Sequence, residues 1–73
     1  MPGRFTYTGH AREKMAERHI TEADVEYVLE HWVTQFTDRR GNPLLGADVR
    51  GRRIRVVVAR DSSPARIVTV YIA

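Results

Sequence analysis

The sequence predicts an α+β domain: two N-terminal helices packed on one face of a three- to four-stranded antiparallel sheet. Three observations lead there. Apolar residues recur at helical spacing up to Trp32. The period changes to two from Val33 onward. Turn-forming clusters at residues 39–43, 50–51 and 61–65 then divide the second half into consecutive strands. Helices followed by a run of hairpin-linked strands form a two-layer structure with both helices on the same sheet face. The expected organisation is a single domain over residues 1–73.

Residues 4 to 7 are short and extended. Thr8 then caps a helix from about residue 9 to 18, its hydroxyl accepting from an otherwise unpaired first-turn N–H. Ala11 and Met15 share one face of that helix, with Arg18 beside them. His19 stands where helices end in a left-handed residue, a conformation for which His is enriched among non-glycine residues. The second helix opens on a capping box of Thr21 and Asp24, with Ile20 stapled onto Val25. Val25, Val28, Leu29 and Trp32 form its apolar stripe, and Glu22, Asp24, Glu26 and Glu30 cover its outer side. Val33 to Asp38, Leu44 to Val49, Arg52 to Arg60 and Arg66 to Ile72 read as strands, with a tight turn at Arg50-Gly51.

Alternation sets a register for the last two hairpins. With Arg60 opposite Arg66, Ile54, Val56 and Val58 face Ile72, Val70 and Val68 on the core side. With Val49 opposite Arg52, Asp48 meets Arg53 on the other side, Ala47 and Leu45 join the core, and Gly46 leaves space beside Arg55. The open face therefore carries Asp48, Arg53, Arg55, Thr69 and Tyr71, and a one-residue slip would invert every side chain.

Composition narrows the function classes. There is no cysteine, so neither a disulfide framework nor a thiolate metal site can form. His10, His19 and His31 lack metal-ligand spacing, so no metal or cofactor is expected. No stretch approaches the roughly 20 apolar residues that cross a bilayer. Met1-Pro2-Gly3-Arg4 has no apolar signal core, and the expected location is cytoplasmic. Eleven arginines and one lysine against nine acids give a net charge of +3. Arginine's planar fork suits phosphate and carboxylate, so a polyanion or an acidic protein is the expected partner. A domain of this size buries only roughly 60% of its unfolded surface, which leaves room for stabilisation by a partner or a second copy in a homodimer.

Candidate chemistry begins on the first helix, where His10, Lys14 and Arg18 follow one another at i+4 and form a ridge. Metal-free RNA cleavage needs a base for the 2′-hydroxyl, an acid for the leaving oxygen and cations for the crowded phosphate. His10 and Tyr71 are the acid–base candidates, and Lys14, Arg18 and Arg55 the phosphate-holding ones, with Arg53 beside them. The ridge makes one site with Arg55 and Tyr71 only if all of them meet across the helix–sheet seam. Each residue also has a structural reading. His10 is then a cap or surface histidine, Lys14 a partner of Glu17, Arg18 a clamp on loop carbonyls or Glu17, Arg53 a cross-strand partner of Asp48, and Tyr71 a half-buried residue near the carboxyl end. A DNA-reading helix-turn-helix fits poorly, because the reading helix would present its acids to phosphate.

The stretches "YTGHAREKMAERHITEADVEYVL", "GRRIRVVVARD" and "IVTVY" resemble domain-of-unknown-function family 4258, which itself looks like a relative of the BrnT and RelE/ParE-type toxins. The most specific residues are His10-Ala11, Met15 to Arg18, Ile20-Thr21 and Asp24-Val25. The resemblance covers about residues 5 to 72 and implies a RelE/BrnT-like fold. By analogy it also implies a toxin-like RNA-binding protein, a metal-independent endoribonuclease of a toxin–antitoxin system, acting on RNA either free or on the ribosome and held by an antitoxin. Two alternatives stand beside it: a non-catalytic domain binding a protein or nucleic acid, and a ParE-like toxin acting on a protein target such as gyrase. Two residues depart from the family pattern. Lys14 replaces a frequent Arg, losing bidentate phosphate recognition, and His19 replaces a usual Gly.

Overall fold

The computed structural model describes residues 5–62 and 64–73. Met1–Arg4, read above for a secretion signal, and Ser63 of the 61–65 loop lie outside the described residues. The elements are β1 (Phe5–Tyr7), α1 (Gly9–Arg18), α2 (Glu22–His31), β2 (Thr34–Thr37), β3 (Pro43–Val49), β4 (Arg52–Val58) and β5 (Ala65–Ile72). The fold is α+β, with two helices on one five-stranded mixed sheet of order β1-β5-β4-β3-β2.

The expectation of a three- to four-stranded, purely antiparallel sheet is thus corrected. β1 adds a fifth strand, parallel to β5, with Phe5, Thr6 and Tyr7 opposite Ala65, Arg66 and Ile67. Thr8 fixes this junction from both sides. Its N–H donates to the Ile67 carbonyl at 3.1 Å, and its hydroxyl donates to the Val68 carbonyl at 2.9 Å. The same hydroxyl accepts from Ala11 N at 3.0 Å, so one residue ends β1, caps α1 and docks both onto β5.

The helix boundaries follow from local chemistry. His19 takes the left-handed conformation at φ 55°, and Ile20 N returns to the Met15 carbonyl at 2.9 Å. The Thr21–Asp24 capping box is complete, with Asp24 N donating to Thr21 Oγ1 at 3.1 Å and Thr21 N donating to Asp24 Oδ2 at 3.0 Å. Trp32 departs from the expected stripe. It is the extended C-cap of α2, and 45% of its surface is exposed. At the β3–β4 turn, Arg50 and Gly51 both have positive φ (51° and 83°), as a type I′ hairpin requires.

The β3–β4 register matches the alternation, with Asp48 opposite Arg53 and Gly46 opposite Arg55. The β4–β5 pairing holds from Ile54↔Ile72 to Val57↔Thr69, then shifts so that Val58 meets Ile67. A bulge there inserts one extra residue. Ile67 is therefore fully buried, and Val68, expected in the core, is only half-buried. Ala11, Met15, Ile20, Val25, Val28, Ala47, Val49, Ile54, Val56, Ile67 and Val70 make the core between helices and sheet. No helix among the described residues is long and apolar enough to cross a membrane.

Candidate nucleic-acid interface

The helices cover the face that carries Ile54, Val56, Ile67 and Val70, each at 0–1% exposure. Arg55 alternates with Ile54 and Val56, so its side chain leaves the opposite, uncovered face. Tyr71 is its direct neighbour on β5, and Gly46 on β3. Thr34 and Phe36 of β2 share that face, opposite Gly46 and Leu44. The open face thus holds a row across four strands: Thr34, Gly46, Arg55 and Tyr71.

Gly46 makes the row possible. A Cβ at this position would stand 2.6 Å from Thr34 Oγ1 and 3.3 Å from Arg55 Cγ. Its absence lets the Arg55 stem lie close to the sheet, with the guanidinium 5.3 Å from the centre of the Phe36 ring. Val57, between Leu44 and Thr69, is 5% exposed and forms an apolar floor beside it. Two polar atoms in this row are buried without a hydrogen-bond partner among the described residues, Arg55 Nε and Thr34 Oγ1. Buried donors ordinarily have partners, so this row is where the protein leaves polar capacity unused.

Its neighbours are already paired. Arg53 holds Asp48 through two bonds, Nε to Oδ1 at 2.7 Å and an Nη to Oδ2 at 3.2 Å. The hydrogen bond from Arg53 holds the Asp48 carboxyl below its ordinary pKa, and the same bond raises Arg53. The cross-strand reading of Arg53 fits this geometry, and Arg55 is the unneutralised cation of the row.

The first-helix ridge lies elsewhere. His10 is exposed in the first turn of α1. Lys14 and Arg18 both reach Glu17 Oε1, at 3.4 and 3.5 Å. α1 packs along β5 on the helix-bearing side. His10, Lys14 and Arg18 therefore stand on one side of the sheet, and Arg53, Arg55 and Tyr71 on the other. Each trio shares a side of the sheet, and the two are not joined across a shared phosphate position.

Two arrangements escape sequence reasoning. Thr34 and Phe36 reach the open face through the β2–β3 register; the alternation of "TQFT" was the available signal. The second is a buried carboxylate. Asp24, 4% exposed, accepts from Arg50 at 2.8 Å, with Arg52 3.8 Å away. Burial alone would raise its pKa, but the Thr21 hydrogen bonds and the charges of Arg50 and Arg52 outweigh that and lower it. Arg52 also donates to the carbonyls of Arg18 and His19 at 2.8 and 3.1 Å. It makes the loop-carbonyl clamp that the sequence suggested for Arg18. This network ties the α1–α2 corner to the β3–β4 hairpin and is structural. On the same side, burial, with Glu22 and Glu26 nearby, raises the Tyr7 phenol, whose OH is also buried and unpaired among the described residues.

A family model described as "Domain of unknown function (DUF4258)" matches residues 7–72 of the chain. No curated protein and no solved structure matches it.

Proposed function

The chain belongs to the DUF4258 family of domains of unknown function, and from its open sheet face we propose that it is a small, toxin-like RNA-binding domain. The observation that carries this reading is Arg55: a guanidinium on an uncovered sheet, beside an aromatic ring, with no carboxylate partner among the described residues. A sheet face with arginine and aromatic side chains suits single-stranded RNA, whose bases stack on rings and guanidinium planes while its phosphates take the charge. In this reading Arg55 binds a phosphodiester, Tyr71 orients the adjoining sugar or base from the next strand, and Phe36 offers a stacking surface. Arg53, already engaged by Asp48, adds positive field and no free fork.

The RelE/BrnT resemblance supports RNA as the polyanion and extends the proposal to a RelE/BrnT-like arrangement, a cytoplasmic setting and control by an antitoxin protein. Binding is favoured over cleavage because, among the described residues, Tyr71 is the single acid–base candidate of the open-face row and has no second one beside it. Asp48 is tied to Arg53, and His10 stands on the helix-bearing side. Catalysis by His10, Arg18 and Tyr71 acting together would require groups from both sides of the sheet. The test is fluorescence anisotropy of labelled oligouridylate with the wild-type chain and Arg55→Ala. Charge-assisted hydrogen bonds contribute about 1.5–3 kcal/mol, so affinity is expected to fall at least about tenfold. Equal affinity of the two chains would contradict the assignment.

A further inference from the structure

Most cations of the described chain have a carboxylate. Arg12 pairs with Glu22, Lys14 and Arg18 with Glu17, Arg50 and Arg52 with Asp24, and Arg53 with Asp48. Arg39, Arg40, Arg55, Arg60 and Arg66 have neither an ion pair nor a side-chain hydrogen bond among the described residues. Arg39 and Arg40 stand in the β2–β3 turn, whereas the other three are linked by the open face and one cleft. Arg66 pairs with Thr6 one step before the Ile67 core position, so both side chains leave the open face. Arg60 and Arg66 line a single cleft of about 390 Å³ with Thr6, Asp61, Ser62 and Pro64.

The cleft is a built feature of the sheet's end. Ser62 Oγ donates to the Ala59 carbonyl at 2.7 Å and accepts from Arg66 N at 3.0 Å, closing the loop between β4 and β5. Asn42 Oδ1 accepts from Arg60 N at 3.0 Å, and the Arg60 guanidinium lies against Gly41, whose φ is +83°. The β2–β3 turn thereby supports Arg60. Asp61 offsets one charge, and the cleft keeps a net positive charge from its two arginines. Arg60 lies five positions after Arg55, so their Cα atoms are at most about 17 Å apart at roughly 3.4 Å per extended residue. A strand running along the open face can place different phosphates at the two arginines.

We propose that the cleft of Arg60 and Arg66 is a second phosphodiester site, which takes the continuation of the RNA strand bound at Arg55. The ligand class is single-stranded RNA long enough to run from the middle of the open face to the β4–β5 end. This inference rests on the RNA-binding reading above. Thr6 lines the cleft and offers its hydroxyl to a phosphate or sugar oxygen. Arg55 sets where the strand sits, and the cleft sets the length it must have.

Anisotropy titrations across a salt series test this, with labelled oligouridylates of three and about ten nucleotides, single-strand sites commonly spanning several nucleotides. The proteins are wild type, Arg60→Gln/Arg66→Gln and Arg60→Lys/Arg66→Lys. The Gln pair is expected to weaken binding of the longer RNA at least tenfold and to reduce its log–log salt slope by about 0.7, the amount for the one phosphate left unneutralised. The trinucleotide affinity stays the same, and the Lys pair keeps the slope. Thermal unfolding of all three chains reports their folding, and the Lys pair carries the comparison should the Gln pair unfold, because a reduced slope with both charges retained overturns the proposal. An unchanged slope with the Gln pair overturns the cleft while leaving Arg55 binding intact. Failure of the wild-type chain to bind either RNA overturns both readings.

Discussion

Replacing Asp24 with Ala removes the one buried carboxylate of the described chain and tests the energetics of the corner that holds the helices to the sheet. Thr21 N loses its acceptor, half of the capping box, while Asp24's own backbone bond to Thr21 Oγ1 survives. That half is worth about 1 kcal/mol, within the range for loss of a cap. Arg50 loses a charge-assisted bond of 2.8 Å. Its side chain is 63% exposed, so solvent discounts this contribution to about 1 kcal/mol. Arg52 keeps its bonds to the Arg18 and His19 carbonyls, which limits the damage. The expected loss is about 2 kcal/mol, or about 8–16 °C in Tm for a domain of this size. Urea and thermal unfolding followed by circular dichroism measure it. The pH dependence is part of the same prediction. The folded pKa of Asp24 is lowered, so its contribution is complete above the unfolded carboxylate value of about 3.9 and is lost as pH falls through the lower folded value. The wild-type advantage over Asp24→Ala should be flat near neutrality and shrink below about pH 4. A loss under about 0.5 kcal/mol at pH 7, or an advantage that grows in acid, would refute the reasoning.

Further expectations concern single positions. His19→Gly relieves a left-handed residue at φ 55° and should stabilise the chain by about 0.5–1 kcal/mol, read as a rise in urea midpoint. Ile54→Ala removes a fully buried side chain from the sheet centre and should cost about 2–5 kcal/mol, enough to populate unfolded chains at room temperature. Gly46→Ala forces Thr34 Oγ1 and Arg55 aside, so it should cost about 1–3 kcal/mol and weaken RNA binding together with Arg55→Ala, without additivity in the double variant. Independent, additive effects on affinity would separate Gly46 from the site.

Much of this architecture is legible because its signals are local. Thr8, His19 and the Thr21–Asp24 box mark helix ends through backbone chemistry within three residues. Strict alternation along β3 and β4 places Arg55 opposite Gly46 and away from the core. The parallel β1–β5 pairing is not legible, since three residues carry no pattern and their partners lie about sixty positions away. The bulge beyond Val57 escapes alternation because counting by twos cannot register an extra residue, which is why Ile67 rather than Val68 is buried. The composite site is a different case. The register that exposes Arg55 already opposes it to any helix-side residue, so a ridge on α1 and a row on the open face form two surfaces.

The most direct measurement of the central claim is an amide NMR titration of the wild-type chain with single-stranded oligouridylate. RNA on the open face predicts shift changes concentrated at Thr34, Gly46, Arg55, Thr69 and Tyr71, with α1 unaffected. Changes concentrated at His10, Lys14 and Arg18, or none at saturating RNA, would contradict it.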